Sequence, residues 1–519
     1  MVTMNAEPSP TRPFAFVLIA GLATALGLSL ALKPASPAHA RATQPLEHTD
    51  VSAEPSAPPS QVTPDREAAP EPLARGEAPT LAEAKAAPEA APEAPVPPPE
   101  PLHVVGLGWE LVAPGVLAND GLAPGEDSRF RAHGIDARFT VTTEVAGLEA
   151  ALARGAVEGG AELAILPLPT FVASYERLRA LDPEVFFVLG WSTGRDALVL
   201  EPRDWLVNTG SSKASTIRVE GEPGRASTYL ALHVLDAHGD DLDRVELVQP
   251  GSTRESKPRV SARAIERSTR TANTDAVVDS RALALSSADA PQLIPFVAVA
   301  PAGVVRARGD DLARFCQLWL EGTETLAADV PKAARRIAGE AGAPEAIALL
   351  NALAYLEHAD LDAAARAAGL SGRGAVSIEP LFQRSWALWR AVGVLSTPAP
   401  AHAPLDNSVL AQVALAHRAS GSADAVTRAA QERRGGDRLV LVHHHGEAAL
   451  ERDALIDELG LLAGSFSQAH VELRVRGDRK VSRAIVDEAV ERFGLDPEHI
   501  VVGPRVKGKD TAQIRVLVP

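Results

Sequence analysis

The chain has a single cysteine, Cys316, among its 519 residues. It can therefore form no internal disulfide, no CxxC redox pair and no cysteine-based zinc cluster, which excludes disulfide-stapled and zinc-finger architectures. Basic clusters are lacking as well. Acidic side chains outnumber basic ones by 67 to 51, a net charge of −16, and no run of Lys and Arg exceeds a few residues. Neutralising a phosphate backbone needs clustered cations, so the sequence argues against nucleic acid and anionic membrane surfaces as partners. Hydrolase and nucleotide signatures are missing: there is no G-x-S-x-G elbow, no Walker loop, no H-E-x-x-H and no EF-hand loop, and Gly106-x-Gly108 lacks the third glycine of a dinucleotide fold. The expected class is a binding protein rather than an enzyme, with no cofactor. Aromatic residues are only 4% of the chain, so its six Trp stand out.

What is present divides the chain into segments, and its length predicts two to four domains. Residues 14–32 (FAFVLIAGLATALGLSLAL) are an uncharged run of 19 followed by Ala38-His39-Ala40. Such a run is close to the roughly 20 residues of a membrane-crossing helix, while the A-x-A pattern is that of a cleaved signal. Either reading of residues 1–40, inner-membrane anchor or signal peptide, implies export. Residues 41–100 contain 14 prolines, and 11 acids against 4 bases. That composition cannot bury enough apolar surface to offset its ordering entropy, so it reads as a disordered linker with a reach of about 50 to 150 Å.

Residues 101–400 alternate strand-like and helix-like patterns. Strands are expected at 103–107, 139–143, 162–166, 185–189 and 197–201, with helices at 144–154 and 170–181 between them, which predicts βαβ units and a largely parallel sheet. The alternation resumes at 216–220, 227–238 and 245–248, suggesting a second lobe. Beyond Arg308 the pattern is almost wholly helical. Residues 401–436, ending in Glu432-Arg433-Arg434-Gly435-Gly436, read as a second linker. Residues 437–519 then read as strand, helix, strand, helix, strand, strand, a small α/β sandwich.

In a parallel α/β lobe, ligands bind at the carboxyl ends of strands, so the loops there hold the candidate site. Trp109 follows the first strand and offers a flat wall. Leu168 lies in the proline-stiffened Leu166-Pro167-Leu168-Pro169-Thr170 turn. In Gly190-Trp191-Ser192-Thr193-Gly194-Arg195-Asp196, small hydroxyls and a cation suit an anion, with Arg195 able to give bidentate hydrogen bonds; a turn in which Arg195 pairs with Asp196 or a neighbour is the competing reading. Ser227, in Gly224-Arg225-Ala226-Ser227-Thr228, can cap a helix and present N–H donors. Asp275 flanks a strand at 276–278. His443-His444-His445 is the one metal-like cluster, with His443 and His445 on one strand face and Glu447 nearby. No third and fourth ligand is evident in the sequence, so a polar strand edge is expected and no metal site.

Residues 185–198 (VFFVLGWSTGRDAL), 224–232 (GRASTYLAL), 274–280 (TDAVVDS) and 305–322 (VRARGDDLARFCQLWLEG) together resemble the periplasmic substrate-binding proteins of ABC importers, in the nitrate, sulfonate and taurine branch. The resemblance implies a two-lobed α/β domain with crossings near 201–205 and 294–298. A small, charged anion would be trapped between the lobes and delivered to a permease. Trp109, Leu168, Ser192, Thr193, Ser227 and Asp275 would face the cleft. Residues 471–478 (VELRVRGD), Ser482-Arg483-Ala484 and 494–502 (GLDPEHIVV) resemble an OmpA-like domain, which implies peptidoglycan as a partner through Asp478 and Arg483. The loop between those two is shorter than the family's. The combined expectation is a periplasmic solute-binding protein, or alternatively an envelope scaffold with no transported ligand.

Overall fold

The computed structural model describes residues 100–208, 216–252, 260–270, 283–371, 376–419, 438–445, 451–477, 479–506 and 510–518. Among them no helix is long and apolar enough to cross a membrane. The run at 14–32 and the linker at 41–99 lie outside the described residues, as do Asp275 and Asp478.

The first lobe opens with β1 (Leu102–Leu107), β2 (Ala137–Thr142), β3 (Leu163–Pro167) and β4 (Pro183–Ser192). The chain then leaves it to build β5 (Asp196–Glu201), β6 (Ile217–Glu220), β7 (Val245–Val248), β8 (Val260–Glu266) and β9 (Leu285–Ser286), and returns with β10 (Pro295–Pro301) and β11 (Leu356–His358). The two sheets run β11-β4-β10-β3-β1-β2 and β7-β6-β8-β5-β9. They repeat one plan. In each, the first three strands are parallel, in the order second, first, third. The strand delivered by an interlobe crossing, β10 in one lobe and β5 in the other, then inserts antiparallel between the third and fourth. The sheets are thus mixed rather than largely parallel. β3, completely buried, and β1 and β4, nearly so, are the continuous apolar runs that a sheet covered on both faces requires.

The crossings differ from the expected ones. The first is the short segment 193–195 between β4 and β5, not 201–205, because Glu201 ends β5 inside the second lobe. The return is 287–294, one segment earlier than expected. Two adjacent apolar strands give the same pattern whether they share a sheet or not, so periodicity could not locate the hinge.

Helices cover both sheets. Trp109–Asn119 crosses Gly309–Ala328 at a contact made of small residues. A Cβ on Gly322 would stand 2.1 Å from the Pro114 carbonyl, and one on Gly115 would stand 2.5 Å from the Trp319 ring. The stretch beyond Arg308, expected to be almost wholly helical, is interrupted after helix Ala346–Leu353 by β11, which pairs with β4. Residues 401–419, expected as linker, carry helix Ser408–Ala419, which buries Val409, Leu410 and Val413 against the first lobe.

The C-terminal domain has the expected element order: β12 (Arg438–His445), helix Arg452–Ser465, β13 (His470–Val475), helix Arg479–Phe493, β14 (Ile500–Val502) and β15 (Ala512–Val518). Its sheet runs β12-β15-β13-β14, with only β13 and β14 parallel. β15 alternates buried and half-buried residues along its length, as a strand with one face on the helices must.

The helix crossing yields a paired prediction. Gly322→Ala forces two helices apart and should cost about 1–3 kcal/mol, whereas Gly303→Ala, in a helix with open space around it, should be neutral or stabilise by up to about 1 kcal/mol. Urea denaturation of both variants checks this.

Candidate functional site

The cleft is built from strand ends in both lobes. After β1, Gly108 adopts φ +109°, in the region that favours glycine, and turns the chain into helix Trp109–Asn119 with Glu110 in its first turn. The N-terminal end of a helix dipole favours a carboxylate. Glu110 is fully buried, and its carboxylate reaches both the hinge and the other lobe. Its Oε1 accepts from Arg195 Nε at 3.2 Å, and its Oε2 accepts from the Thr269 hydroxyl at 2.6 Å. Arg195 lies in the first crossing, 2% exposed. Its Nη2 donates to Glu266 Oε1 at 2.6 Å, and its Nη1 stands 3.6 Å from Asp196 Oδ1.

A second set continues the first across the cleft. Arg225 Nη1 lies 3.9 Å from Glu266 Oε2, its Nε donates to Glu222 at 3.0 Å, and its Nη2 donates to the Thr143 carbonyl of the first lobe at 2.6 Å. Arg270 donates to Glu222 at 2.6 Å and stands 3.6 Å from Glu144, again in the first lobe. Three guanidiniums therefore face five carboxylates. The two crossings are also tied to each other. The Ser192 hydroxyl donates to Asp196 Oδ2 at 2.7 Å, Ser192 and Ser287 hydroxyls share a hydrogen bond of 2.6 Å, and the Gly194 N–H donates to Ser287 at 2.8 Å.

Burial shapes the titration of this cluster. Taken alone it would lower the Arg195 guanidinium, but the Glu266, Asp196 and Glu110 carboxylates hold it above its ordinary value. Asp196 is pushed up to about 6 by burial, with Arg195 opposing. Burial would also raise Glu266, yet Arg195 and Arg225 bring it below the usual carboxylate range.

The structure brings Ser192, Thr193 and Arg195 together at the hinge. Arg195 turns to the internal carboxylates just described, and the Thr193 N–H donates to the Tyr355 carbonyl at 2.9 Å. Ser227 is buried at the start of helix Ala226–His238, beside Arg225. Leu168 is fully buried as the first residue of helix Leu168–Leu178, and Trp109 is buried among the residues of the first-lobe core. Arg483 is exposed on helix Arg479–Phe493. Sequence reasoning missed Glu110, Arg225, Glu266, Thr269 and Arg270. One signal was available: Glu110 is the sole charge in the run GLGWELVAPGVLA. Neither of two cavities of about 290 Å³ lies in the cleft. One is lined by Trp191, Glu357, Ser467, Phe493 and His499, between the first lobe and the C-terminal domain, and the other lies by Arg203, Val207 and Arg438.

At the edge of β12, Glu458 from helix Arg452–Ser465 faces both His443 and His445, a carboxylate that the sequence pattern did not place there.

No family model and no curated protein matches the chain. Solved structures with a likeness include the periplasmic aliphatic sulphonate binding protein SsuA from Escherichia coli, at 14% identity and TM-score 0.39, covering 58% of this chain and 93% of that one. The periplasmic nitrate-binding protein NrtA from Synechocystis PCC 6803 gives 12% identity and TM-score 0.39, with coverage of 63% and 89%. The Candida albicans CA3427 gene product, described as having the generic periplasmic binding protein fold, gives 13% identity and TM-score 0.36, with coverage of 60% and 94%. The first two of these neighbours are described as binding proteins. At such identities and scores they carry no argument about this chain's ligand; its two lobes are defined by its own two sheets.

Two predictions follow from the cleft and the helix beside it. Arg195→Ala strands buried carboxylates, and removing one partner of a buried pair costs about 3–5 kcal/mol; denaturant unfolding without any ligand should register that loss. His233, on helix Ala226–His238, is fully buried, neither ring nitrogen has a hydrogen-bond partner among the described residues, and burial lowers its pKa from 6.5 to about 3. The folded value lies below the unfolded one, so this contribution to stability is whole above pH 6.5 and is lost as pH falls toward 3. His233→Leu should flatten the acid limb of a stability-versus-pH curve.

Proposed function

We propose that this chain is an exported envelope module with the architecture of a two-lobed binding protein, whose cleft is latched by its own side chains and which acts as a scaffold rather than as a carrier. The carrying observation is the Glu110–Arg195–Glu266 bridge. In a solute-binding protein, ligand drives hinge closure because it contacts both lobes of the closed form. Here Glu110 and Glu144 of one lobe already contact Arg195, Arg225, Arg270 and Thr269 at the hinge and in the other. A ligand has no closure left to drive. Carboxylates also outnumber guanidiniums, which opposes the anion expected from the resemblance. In this reading residues 14–32 hold or export the chain at the inner membrane, residues 41–100 tether it, and the folded part stands in the periplasm. An OmpA-like role for residues 437–519 fits the element order and the exposure of Arg483, with peptidoglycan as the partner.

The second reading is solute capture for ABC-type import, favoured by the repeated strand plan and by the hinge position of Ser192, Thr193 and Arg195. It requires a ligand that displaces carboxylates from Arg195 and contacts Ser227 and the Trp109 and Leu168 turns.

A thermal-shift screen of the full chain in detergent against nitrate, sulfonates, taurine, amino acids and phosphonates separates the two. The scaffold reading expects no compound to move the midpoint. Capture expects a shift of several degrees, since a hundredfold excess over Kd stabilises by about 2.7 kcal/mol, and expects that shift to vanish in Arg195→Ala.

A further inference from the structure

We propose that His443, His445 and Glu458 form a binding site for a divalent transition metal of the zinc type, where the C-terminal domain meets the second lobe. Strand alternation puts His443 and His445, two positions apart, on the same face of β12, with ring centroids 4.4 Å from each other. Glu458 comes from the helix packed on that face. Its Oε1 lies 3.2 Å from His443 Nε2, its Oε2 lies 3.3 Å from His445 Nε2, and the three donor atoms fall within 4.8 Å of one another. Tetrahedral zinc with metal–ligand bonds near 2.1 Å has ligand–ligand edges of about 3.4 Å. Each imidazole nitrogen already stands near that spacing from one carboxylate oxygen, and small side-chain adjustments would bring the remaining edge, within 4.8 Å, to it.

Protonation strengthens the geometric case. His443 Nδ1 stands 2.5 Å from the Ala237 carbonyl. A carbonyl oxygen only accepts, so Nδ1 carries the proton and Nε2 directs its lone pair at the Glu458 carboxylate. Two acceptors face each other there, and a cation must sit between them: a second proton on the ring or a metal ion. A backbone carbonyl holding the far nitrogen is the outer contact that orients metal-bound histidines. His445 Nε2 is a buried atom aimed into the same space, facing the Glu458 carboxylate. His444 points elsewhere, its Nδ1 2.8 Å from Asp510 Oδ2, and serves as the internal control. Two imidazoles and one carboxylate without thiolate suit zinc, copper(II) or nickel rather than copper(I), calcium or magnesium. The three side chains remain partly exposed, at 12%, 19% and 24%, so water can enter and complete the coordination.

The test is zinc titration of the full chain, prepared without a polyhistidine tag, stripped with a chelator and held in detergent. Competition against a chromophoric zinc indicator should give one zinc per chain. Binding should weaken at least about tenfold in His443→Ala and in Glu458→Gln, and His444→Ala should bind as the parent does. Cobalt(II) gives a second readout: intense visible bands of a four-coordinate site in the parent and in His444→Ala, absent from the other two. Far-ultraviolet circular dichroism checks that each variant is folded. Failure of the parent to bind, or equal affinity in the parent and a folded His443→Ala/His445→Ala double variant, overturns the proposal and leaves a proton as the bridging cation.

Discussion

The guanidinium of Arg195 is the one group from which the arrangement of the two lobes can be derived. It sits in the shorter of two chain crossings, where only three residues separate β4 from β5. A buried cation there is tolerable only if carboxylates surround it, because the desolvation penalty of an unpaired ion is several kcal/mol. The carboxylates come from three directions: Glu110 from the first lobe, Glu266 from the second and Asp196 from the hinge itself. Satisfying one hinge residue thus fixes both lobes in the closed position. Neither lobe can swing out without leaving Glu110 or Arg195 with an unmet charge.

The rest of the chain reinforces that closure. Twelve of the thirteen residues of helix Ala226–His238 are buried, so unlike an ordinary surface helix it is covered on every side. Strands β5 and β8 lie against it, and helices Leu168–Leu178 and Ile378–Ala391 pack on it from elsewhere. Ile378–Ala391 acts as a strap. Its Trp389 donates to the Pro169 carbonyl of the first lobe at 2.8 Å and lies tilted beside Tyr229 of the second, with ring centroids 6.4 Å apart. Its Arg384 pairs with Asp236 on the second lobe. Aromatic residues are scarce in this chain, and several of the largest are spent where the lobes meet.

Much of the fold was legible because it is periodic. Apolar strands alternating with amphipathic helices gave two lobes and the C-terminal order of elements, and glycine-rich turns marked where strands end. The hinge was not legible, since a strand such as 197–201 has the same pattern in either sheet. Nor was the charge network. Glu110, Arg195, Glu266 and Arg270 are spread over 160 positions of sequence, and only tertiary folding shows that their charges meet. Arg195 stands out in the sequence as a cation in a strand-end loop expected to hold an anion, but its partners in the fold are Glu110, Glu266 and Asp196. The same applies at β12: His443 and His445 are visible as a pair, while Glu458 is thirteen positions further on, in a helix whose packing the sequence does not state.

Ion networks of this kind are poor sources of stability. Well-packed apolar residues of similar volume match or exceed buried charges, so stability alone gives no reason to place three arginines and five acids between two lobes. What such a network supplies is direction: each guanidinium fork accepts few geometries, and the set closes the lobes in one register. Helix Ala226–His238 carries that register outward. Arg225 and Ser227 lie at its cleft end, and the Ala237 carbonyl, which holds His443, lies at its other end about 15 to 18 Å away at 1.5 Å per residue. A single rigid element therefore joins the latched cleft to the seam with the C-terminal domain. A protein that must present two domains in fixed relation has use for such an arrangement, whereas one that must open to release a solute would have to break it at every cycle.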